Sequence, residues 1–132
     1  MYSRTTASIS ITVEPEFLSE QSNTDERFFL YAYKIIIENN SSEACQLLKR
    51  HWIIRDGQGK EEHVEGEGVI GKQPVIRPGE RFIYTSGCPL STPTGNMRGT
   101  YTMKTASDKK LKVKVPLFFL SPPREERYPQ HA

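Results

Sequence analysis

The chain has 132 residues, of which 36% are hydrophobic and 26% charged, and its formal net charge is +2. This length fits one domain that buries its own core, and the small charge excess is atypical of general nucleic-acid-binding proteins, whose surfaces are strongly basic. No segment reaches the roughly 20 consecutive apolar residues that cross a bilayer, and the N-terminus has no apolar stretch of signal-peptide length, so we expect a cytoplasmic protein.

Alternation of apolar and polar residues begins near the N-terminus and predicts β-strands. In "ASISITV", Ile9, Ile11 and Val13 lie on one side of such a strand. A longer alternating run, "FFLYAYKIIIEN", follows, and its shared face extends from Phe29 to Ile37. These two runs are the first predicted strands.

The next run, "QLLKRHWIIRD", is predicted to present Leu48, Trp52 and Ile54 on its inner face. Arg50 has the same parity, so we expect its guanidinium to reach the surface or to pair with a carboxylate or with backbone carbonyls. The Asp-Gly pair that begins at Asp56 predicts a tight hairpin, because glycine tolerates positive φ. The returning strand is "EEHVE".

The second half of the chain continues with short strands and turns. "PVIRPGE" predicts a turn, "RFIYTS" a strand, and "TYTMKT" with "KLKVKVPLFFL" a final strand pair, while "GCPLSTPTGNMRG" is predicted to be a loop. We expect one domain over residues 1–120 and a disordered tail over 121–132. About seven to nine strands favour an all-β fold, an antiparallel β-sandwich of the immunoglobulin or fibronectin-III kind, and a small barrel is the alternative.

Residues 66–71 read "GEGVIG", which has the G-x-G-x-x-G spacing of dinucleotide-binding sites and of the kinase glycine loop. A dinucleotide site needs a helix directly after the glycines, and Pro74 and Pro78 are incompatible with the interior of that helix. The kinase interpretation fails because the catalytic-loop and metal-binding motifs are absent from the sequence. The simplest interpretation is a glycine-containing bend or bulge that lets the chain leave one sheet and cross to the other.

An anion site is the second interpretation of this segment. Backbone N–H groups near Gly66, Gly68 and Gly71, together with Lys72, could attract pyrophosphate or a nucleotide. The glutamates at 61, 62, 65 and 67 would repel a bare anion, by roughly 4 kcal/mol for charges about 4 Å apart at an effective dielectric of about 20. A divalent cation would therefore have to accompany the anion.

The strand that contains "EEHVE" offers candidate metal ligands. Alternation puts His63, Glu65 and Glu67 on one side, where a histidine and carboxylates could hold a divalent cation such as magnesium or cobalt. The competing interpretation is a charged edge strand that discourages edge-to-edge aggregation. The spacing matches no diagnostic metal motif, so we expect no bound cofactor.

Five basic side chains are predicted to share the outer face of one sheet, with the acidic strand along its edge. They are Lys49, His51, Arg55, Lys112 and Lys114. Such a face could dock an acidic protein partner and steer its approach. A solvated sheet face without a partner is the alternative.

The two cysteines indicate no catalytic chemistry. Without a secretion signal, Cys45 and Cys88 are expected to be reduced thiols rather than a disulfide. As a nucleophile, Cys88 would need a base such as His51 or His63 close by, and its glycine and proline neighbours indicate turn geometry instead. We find no catalytic constellation and expect a protein that is not an enzyme.

Four stretches carry a resemblance that covers the chain from about Ile9 to Leu120: "LLKRHWIIRDGQG", "VEGEGVIGKQPVIRPGERFIYTSGCPL", "TPTGNMRGTYTM" and "VKVPLFFL". In these stretches the chain resembles the ApaG family of bacterial proteins. The resemblance implies a fibronectin-III-like β-sandwich and a cytoplasmic location. Gly66, Gly68 and Gly71 match the family's glycine motif.

The resemblance also implies a function. Related domains occur in eukaryotic F-box proteins and in a DNA-polymerase-delta-interacting protein, where they look like protein-interaction modules. The family's name is tied to a cobalt/magnesium resistance or efflux phenotype, and its gene often neighbours those for a diadenosine tetraphosphate hydrolase and a ribosomal RNA dimethyltransferase. We therefore expect a non-enzymatic interaction module, with pyrophosphate or nucleotide binding at residues 66–71 as the alternative.

Overall fold

The structure, a computed structural model that describes residues 1–123, contains nine β-strands and one short 3₁₀ helix within that range. The strands are β1 (Tyr2–Thr6), β2 (Ile9–Phe17), β3 (Phe29–Asn39), β4 (Cys45–Asp56), β5 (Glu61–Glu67), β6 (Val75–Ile76), β7 (Arg81–Leu90), β8 (Gly95–Thr105) and β9 (Lys110–Leu120), and the 3₁₀ helix is Ser19–Gln21. Most of the predicted disordered tail, residues 124–132, lies outside the described part. Within residues 1–123, no helix is long and apolar enough to span a bilayer.

The strands form two antiparallel sheets packed face to face. Sheet I has the order β1-β2-β3-β7, and sheet II has the order β5-β4-β8-β9, with β6 paired to the start of β4. Every pairing is antiparallel, as expected when short turns connect the strands. The predicted all-β antiparallel sandwich of seven to nine strands is therefore confirmed.

The residues that alternate inward from both sheets form one core. Ile9, Ile11 and Val13 of β2 are completely inaccessible to solvent, as their spacing predicts. The Trp52 ring of sheet II lies edge-on to Tyr33 of sheet I, with 5.5 Å between the ring centroids. Each fully buried large apolar side chain contributes about 1.5–3 kcal/mol relative to its exposed state, so this inner layer is the main source of stability.

The predicted inner face of β4 is wrong at one position. The β4–β8 register shifts between Leu47 and Lys49, so Leu48 is the additional residue of a β-bulge, and Leu47 is completely buried instead of Leu48. A bulge places two residues opposite one, which reverses the parity of the strand before it. Beyond the bulge the predicted parity is confirmed, and Trp52 points inward.

Two loop predictions need correction. The segment predicted as one long loop is short, because "GCPL" ends β7 and "GNMRG" begins β8, leaving residues 91–94 between them. Pro89 is tolerated because β7 is an edge strand of sheet I, where a missing N–H disturbs no ladder on the free side. The β4–β5 hairpin forms as predicted, but its left-handed residue is Gly59, with φ 87°, and not Gly57.

The two lateral sides of the sandwich differ. On one side β9 of sheet II meets β1 of sheet I, where the rings of Tyr2 and Phe118 are 6.2 Å apart and the Lys114 N–H donates to Thr6 Oγ1 at 3.3 Å. On the other side the edge strands are β5 and β7, and a cavity of about 410 Å³ lies between them. The fold is thus closed at β1/β9 and open at β5/β7.

Candidate functional site

The glycine segment forms a tight hairpin. Val69 N–H donates to the Lys72 carbonyl at 2.8 Å, and Lys72 N–H donates to the Val69 carbonyl at 2.9 Å. Ile70 and Gly71 between them have φ of 45° and 75°, which is the pattern of a type I′ turn. The chain crosses to sheet I only later, at residues 77–80, after β6 has paired with β4. The interpretation of the glycines as the crossing point is therefore wrong.

Each of the three glycines of the motif is favoured at its position for a different structural reason. A Cβ on Gly66 would lie 2.7 Å from Nη1 of Arg50, so this glycine leaves room for the guanidinium. A Cβ on Gly68 would lie 2.1 Å from the Lys72 carbonyl oxygen, and its φ is 61°. Gly71 has open space around it, and only its φ of 75° favours glycine. The G-x-G-x-x-G spacing thus has a structural explanation at every position.

Arg50 lies against Gly66 at the edge of sheet II. Its Nη1 donates to the Glu67 carbonyl at 3.1 Å and to the Gly68 carbonyl at 3.0 Å. The expectation that this inward-facing arginine pairs with backbone carbonyls is confirmed. These bonds hold the start of the hairpin segment in place, and they can form only because Gly66 has no side chain in the space that the Arg50 guanidinium occupies.

Most backbone N–H groups of the proposed anion loop are already used. Gly68 N–H donates to the Leu48 carbonyl at 2.8 Å, and the amides of Val69 and Lys72 close the hairpin. Among the described residues, the two tip amides, those of Ile70 and Gly71, make no backbone hydrogen bond. An anion would therefore meet two free amides beside Lys72, and binding there stays a prediction.

The predicted metal ligands lie on β5, which is an edge strand of sheet II. His63 Nδ1 is 2.9 Å from His51 Nε2, and His51 Nδ1 is 3.8 Å from the Glu65 carboxylate. Over residues 1–123, no three His, Cys, Asp or Glu side chains are placed to share a metal ion. The His63 ring thus contacts His51 of β4 and not Glu67. Metal binding at His63, Glu65 and Glu67 stays a prediction.

The predicted basic side chains share the outer face of sheet II. Cross-strand register aligns Lys49, Thr102 and Lys112 in one row, and His51, Thr100 and Lys114 in the next. A surface groove of about 680 Å³ is lined by four of the five predicted residues, namely Lys49, His51, Lys112 and Lys114. We call these four side chains the basic face. Arg55 lies farther along β4, opposite Glu61, and does not line the groove.

The lysines of the basic face have few partners. Lys112 Nζ donates to Thr102 Oγ1 at 2.7 Å. In the described part of the chain, neither Lys49, Lys112 nor Lys114 has a carboxylate within ion-pair distance. Glu65 and Glu67 border the groove from β5. The face therefore has unneutralised positive charge next to an acidic rim.

The cavity between β5 and β7 is a site that the sequence did not reveal. Its walls include the rings of Tyr33, Trp52 and Tyr84, with Arg50 and Glu62 among its charged residues. These residues come from both sheets, so no single stretch of sequence predicts their proximity. The one available signal is the shared parity of Arg50 and Trp52 on the same strand.

Cys88 opens onto this cavity but is poorly suited to nucleophilic attack. Burial, reinforced by the nearby Glu62 carboxylate, raises the pKa of its thiol to about 11. Its Sγ makes only a weak contact with the Pro89 carbonyl at 3.9 Å, and neither His51 nor His63 is hydrogen-bonded to it. The turn geometry expected around it is wrong, because Cys88 is inside β7. Both cysteines are free thiols, as predicted.

Comparisons with known proteins agree with this architecture. The family model of the ApaG domain matches residues 19–105. The chain is 50% identical over 129 residues to protein ApaG of Rhodospirillum centenum, covering 98% of this chain and 99% of that protein. It is 47% identical over 127 residues to protein ApaG of Bradyrhizobium sp., and this alignment covers 96% of this chain and 98% of that protein. The crystal structure of an ApaA protein from Bordetella pertussis superposes with a TM-score of 0.86 at 42% identity, covering 88% of this chain and 94% of that one. The chain therefore belongs to the ApaG family.

Proposed function

We propose that this protein is a non-enzymatic cytoplasmic binding module that docks an acidic segment of a protein partner on its basic face. The observation that supports this is the placement of Lys49, Lys112 and Lys114 on one groove without ion-pair partners among residues 1–123. Unpaired charges of one sign attract a partner of the opposite sign and accelerate its association. The acidic rim formed by Glu65 and Glu67 would repel carboxylates at the β5 edge and so restrict how the partner lies.

The spacing of the lysines indicates the shape of the partner segment. Lys112 and Lys114 are two residues apart on β9 and face the same way, so their Cα atoms are separated by about 7 Å. An extended peptide has the same repeat between alternate residues. Lys49 is two strands away from Lys112, at about 10 Å. We therefore expect an extended segment with carboxylates at alternate positions, lying along β9.

Affinity capture from native lysate tests this proposal. The wild-type chain should retain a stoichiometric partner that elutes at an ionic strength of about 0.5 M, because exposed charge pairs are screened by salt. The variant with Lys49→Glu, Lys112→Glu and Lys114→Glu should lose it. Lys34→Glu, a charge reversal at an exposed position of sheet I, is the matched control and should retain it. Equal capture by the triple variant, or no partner with the wild type, would contradict the proposal.

Pyrophosphate or nucleotide binding at the glycine hairpin is the second candidate function. It is favoured by the two tip amides without backbone partners and by the adjacent exposed Lys72. A divalent cation, magnesium or cobalt, would reduce the repulsion between the anion and the nearby carboxylates of Glu65 and Glu67. An NMR titration with pyrophosphate, with and without each metal, tests it. If the amides of residues 66–72 do not shift at about 1 mM ligand, this candidate is excluded.

A further inference from the structure

The cavity between β5 and β7 shares Arg50 with the groove of the basic face but contains none of that face's four side chains. Its volume of about 410 Å³ falls in the range of roughly 300–1,000 Å³ that is typical of small-molecule sites. Trp52, Tyr84 and Met97 are at most 5% exposed and form its inner walls. The mouth lies between two sheet edges, so a ligand can enter without separating any paired strands.

The cavity has opposite charges at its two ends. Arg50, Trp52 and Ile54 are alternate residues of β4. The Cα atom of Ile54 is about 13 Å from that of Arg50 and about 7 Å from that of Trp52. Glu62 is the cross-strand partner of Ile54 on β5, so its carboxylate belongs to the end opposite Arg50. An anionic group inside the cavity would therefore be attracted to the Arg50 end and repelled from the Glu62 end.

Arg50 has unused capacity to bind an anion. Both of its hydrogen bonds to backbone carbonyls come from Nη1, and a guanidinium has five N–H donors. Among the described residues, no carboxylate forms an ion pair with it. The two carbonyl bonds hold the guanidinium, and it lies close to Gly66 on one side. A fixed planar fork is the geometry that recognises a carboxylate with two parallel hydrogen bonds.

We propose that this cavity binds a small aromatic carboxylate, with its carboxylate on Arg50 and its ring among Tyr33, Trp52 and Tyr84. The aromatic walls favour a planar apolar group, since ring pairs gain from offset or edge contacts in addition to burial. The carboxylate neutralises the guanidinium, and the Glu62 end selects against a second anionic group. This site uses none of the basic-face lysines, although Arg50 also lines their groove, so lysine substitutions test the docking function without changing the cavity.

Fluorescence of Trp52, the single tryptophan of the chain, reports directly on the cavity. The probes are 3-phenylpropionate, its neutral amide 3-phenylpropionamide, and inorganic pyrophosphate. We expect a saturable change with the carboxylate at or below about 1 mM, and binding about tenfold weaker or more for the amide, because a charged hydrogen-bond pair is lost. No saturation by about 10 mM carboxylate, equal binding of the amide, or preferential binding of pyrophosphate would overturn the proposal.

Variants locate the binding site. Arg50→Met should weaken carboxylate binding about tenfold or more and remove the preference over the amide. Val64→Phe, on β5 at the mouth, should block both ligands by filling the cavity while Arg50 is retained. Lys34→Met is the matched control for loss of a positive charge and should bind like the wild type. Thermal unfolding of each variant checks folding, and unchanged binding by folded Val64→Phe would contradict the proposal even if Arg50→Met does not fold.

Discussion

Replacing Gly66 with alanine tests whether the first glycine of the motif exists to accommodate Arg50. The new Cβ would lie 2.7 Å from Nη1, and 2.9 Å from both Cζ and Nη2 of Arg50. The φ of Gly66 is outside the left-handed range, so alanine introduces no backbone strain. The steric conflict is with the end of a flexible side chain. We therefore expect the guanidinium to move away and to lose its bonds to the carbonyls of Glu67 and Gly68.

The expected loss of stability follows from these two hydrogen bonds. A hydrogen bond to a charged group contributes about 1.5–3 kcal/mol, but Arg50 as a whole is only partly buried, and water can replace part of each bond. We expect Gly66→Ala to lower the free energy of unfolding by about 1–3 kcal/mol in total. Urea denaturation measures this as a lower midpoint with an unchanged m-value.

A double-mutant cycle with Arg50→Met separates this mechanism from general intolerance of alanine. Without the guanidinium, Gly66→Ala should be neutral or stabilise by up to about 1 kcal/mol, since alanine restricts the unfolded chain. Gly68→Ala is the matched comparison, because its Cβ would meet the Lys72 backbone carbonyl at 2.1 Å. Its loss of stability should persist in the Arg50→Met background. An equal loss for Gly66→Ala in both backgrounds would refute the reasoning.

Three further predictions concern the hairpin, the core and the titration of the fold. Ile70→Asn should raise stability by about 0.5–1 kcal/mol in urea denaturation, because asparagine tolerates the φ of 45° better than a β-branched residue. Tyr84→Phe should lower stability by about 1–3 kcal/mol, since it leaves the buried Tyr101 hydroxyl without its partner, and Tyr84→Phe with Tyr101→Phe should cost less than the sum of the single changes. The folded-state pKa of Cys88 is raised to about 11 from an ordinary value of 9.0, so its contribution to stability is complete below pH 9 and is lost as the pH rises towards 11. Cys88→Ala should reduce that decline in unfolding measurements across this pH range.

The strands of the protein were predictable from sequence where burial follows strict alternation. The inner residues of β2 and β3 occupy the expected face because neither strand contains a bulge. In β4 the prediction fails at Leu47 and Leu48, since a single extra residue reverses the parity and leaves no local signal. In β7, glycine and proline indicated a loop, and tertiary pairing with β3 overrides that preference.

The candidate sites likewise include one that was predictable from the sequence and others that were not. The basic face was predictable because Lys49 and His51 have the same parity on β4, as do Lys112 and Lys114 on β9, and β8 brings the two strands onto one sheet. The partnership of Arg50 with Gly66 was not predictable, because it depends on the cross-strand register of β4 and β5. The cavity was also hidden, since its walls meet only when the two sheets pack.

Zero-length cross-linking tests the central claim, docking of an acidic partner on the basic face, most directly. A carbodiimide joins a lysine amine to a carboxylate only when the two groups touch, and mass spectrometry identifies the lysine that has reacted. In native lysate, we expect intermolecular cross-links at Lys49, Lys112 or Lys114 to Asp or Glu residues of one partner, and their loss at high ionic strength. Cross-links that occur only at lysines away from the groove, such as Lys34, would contradict the account.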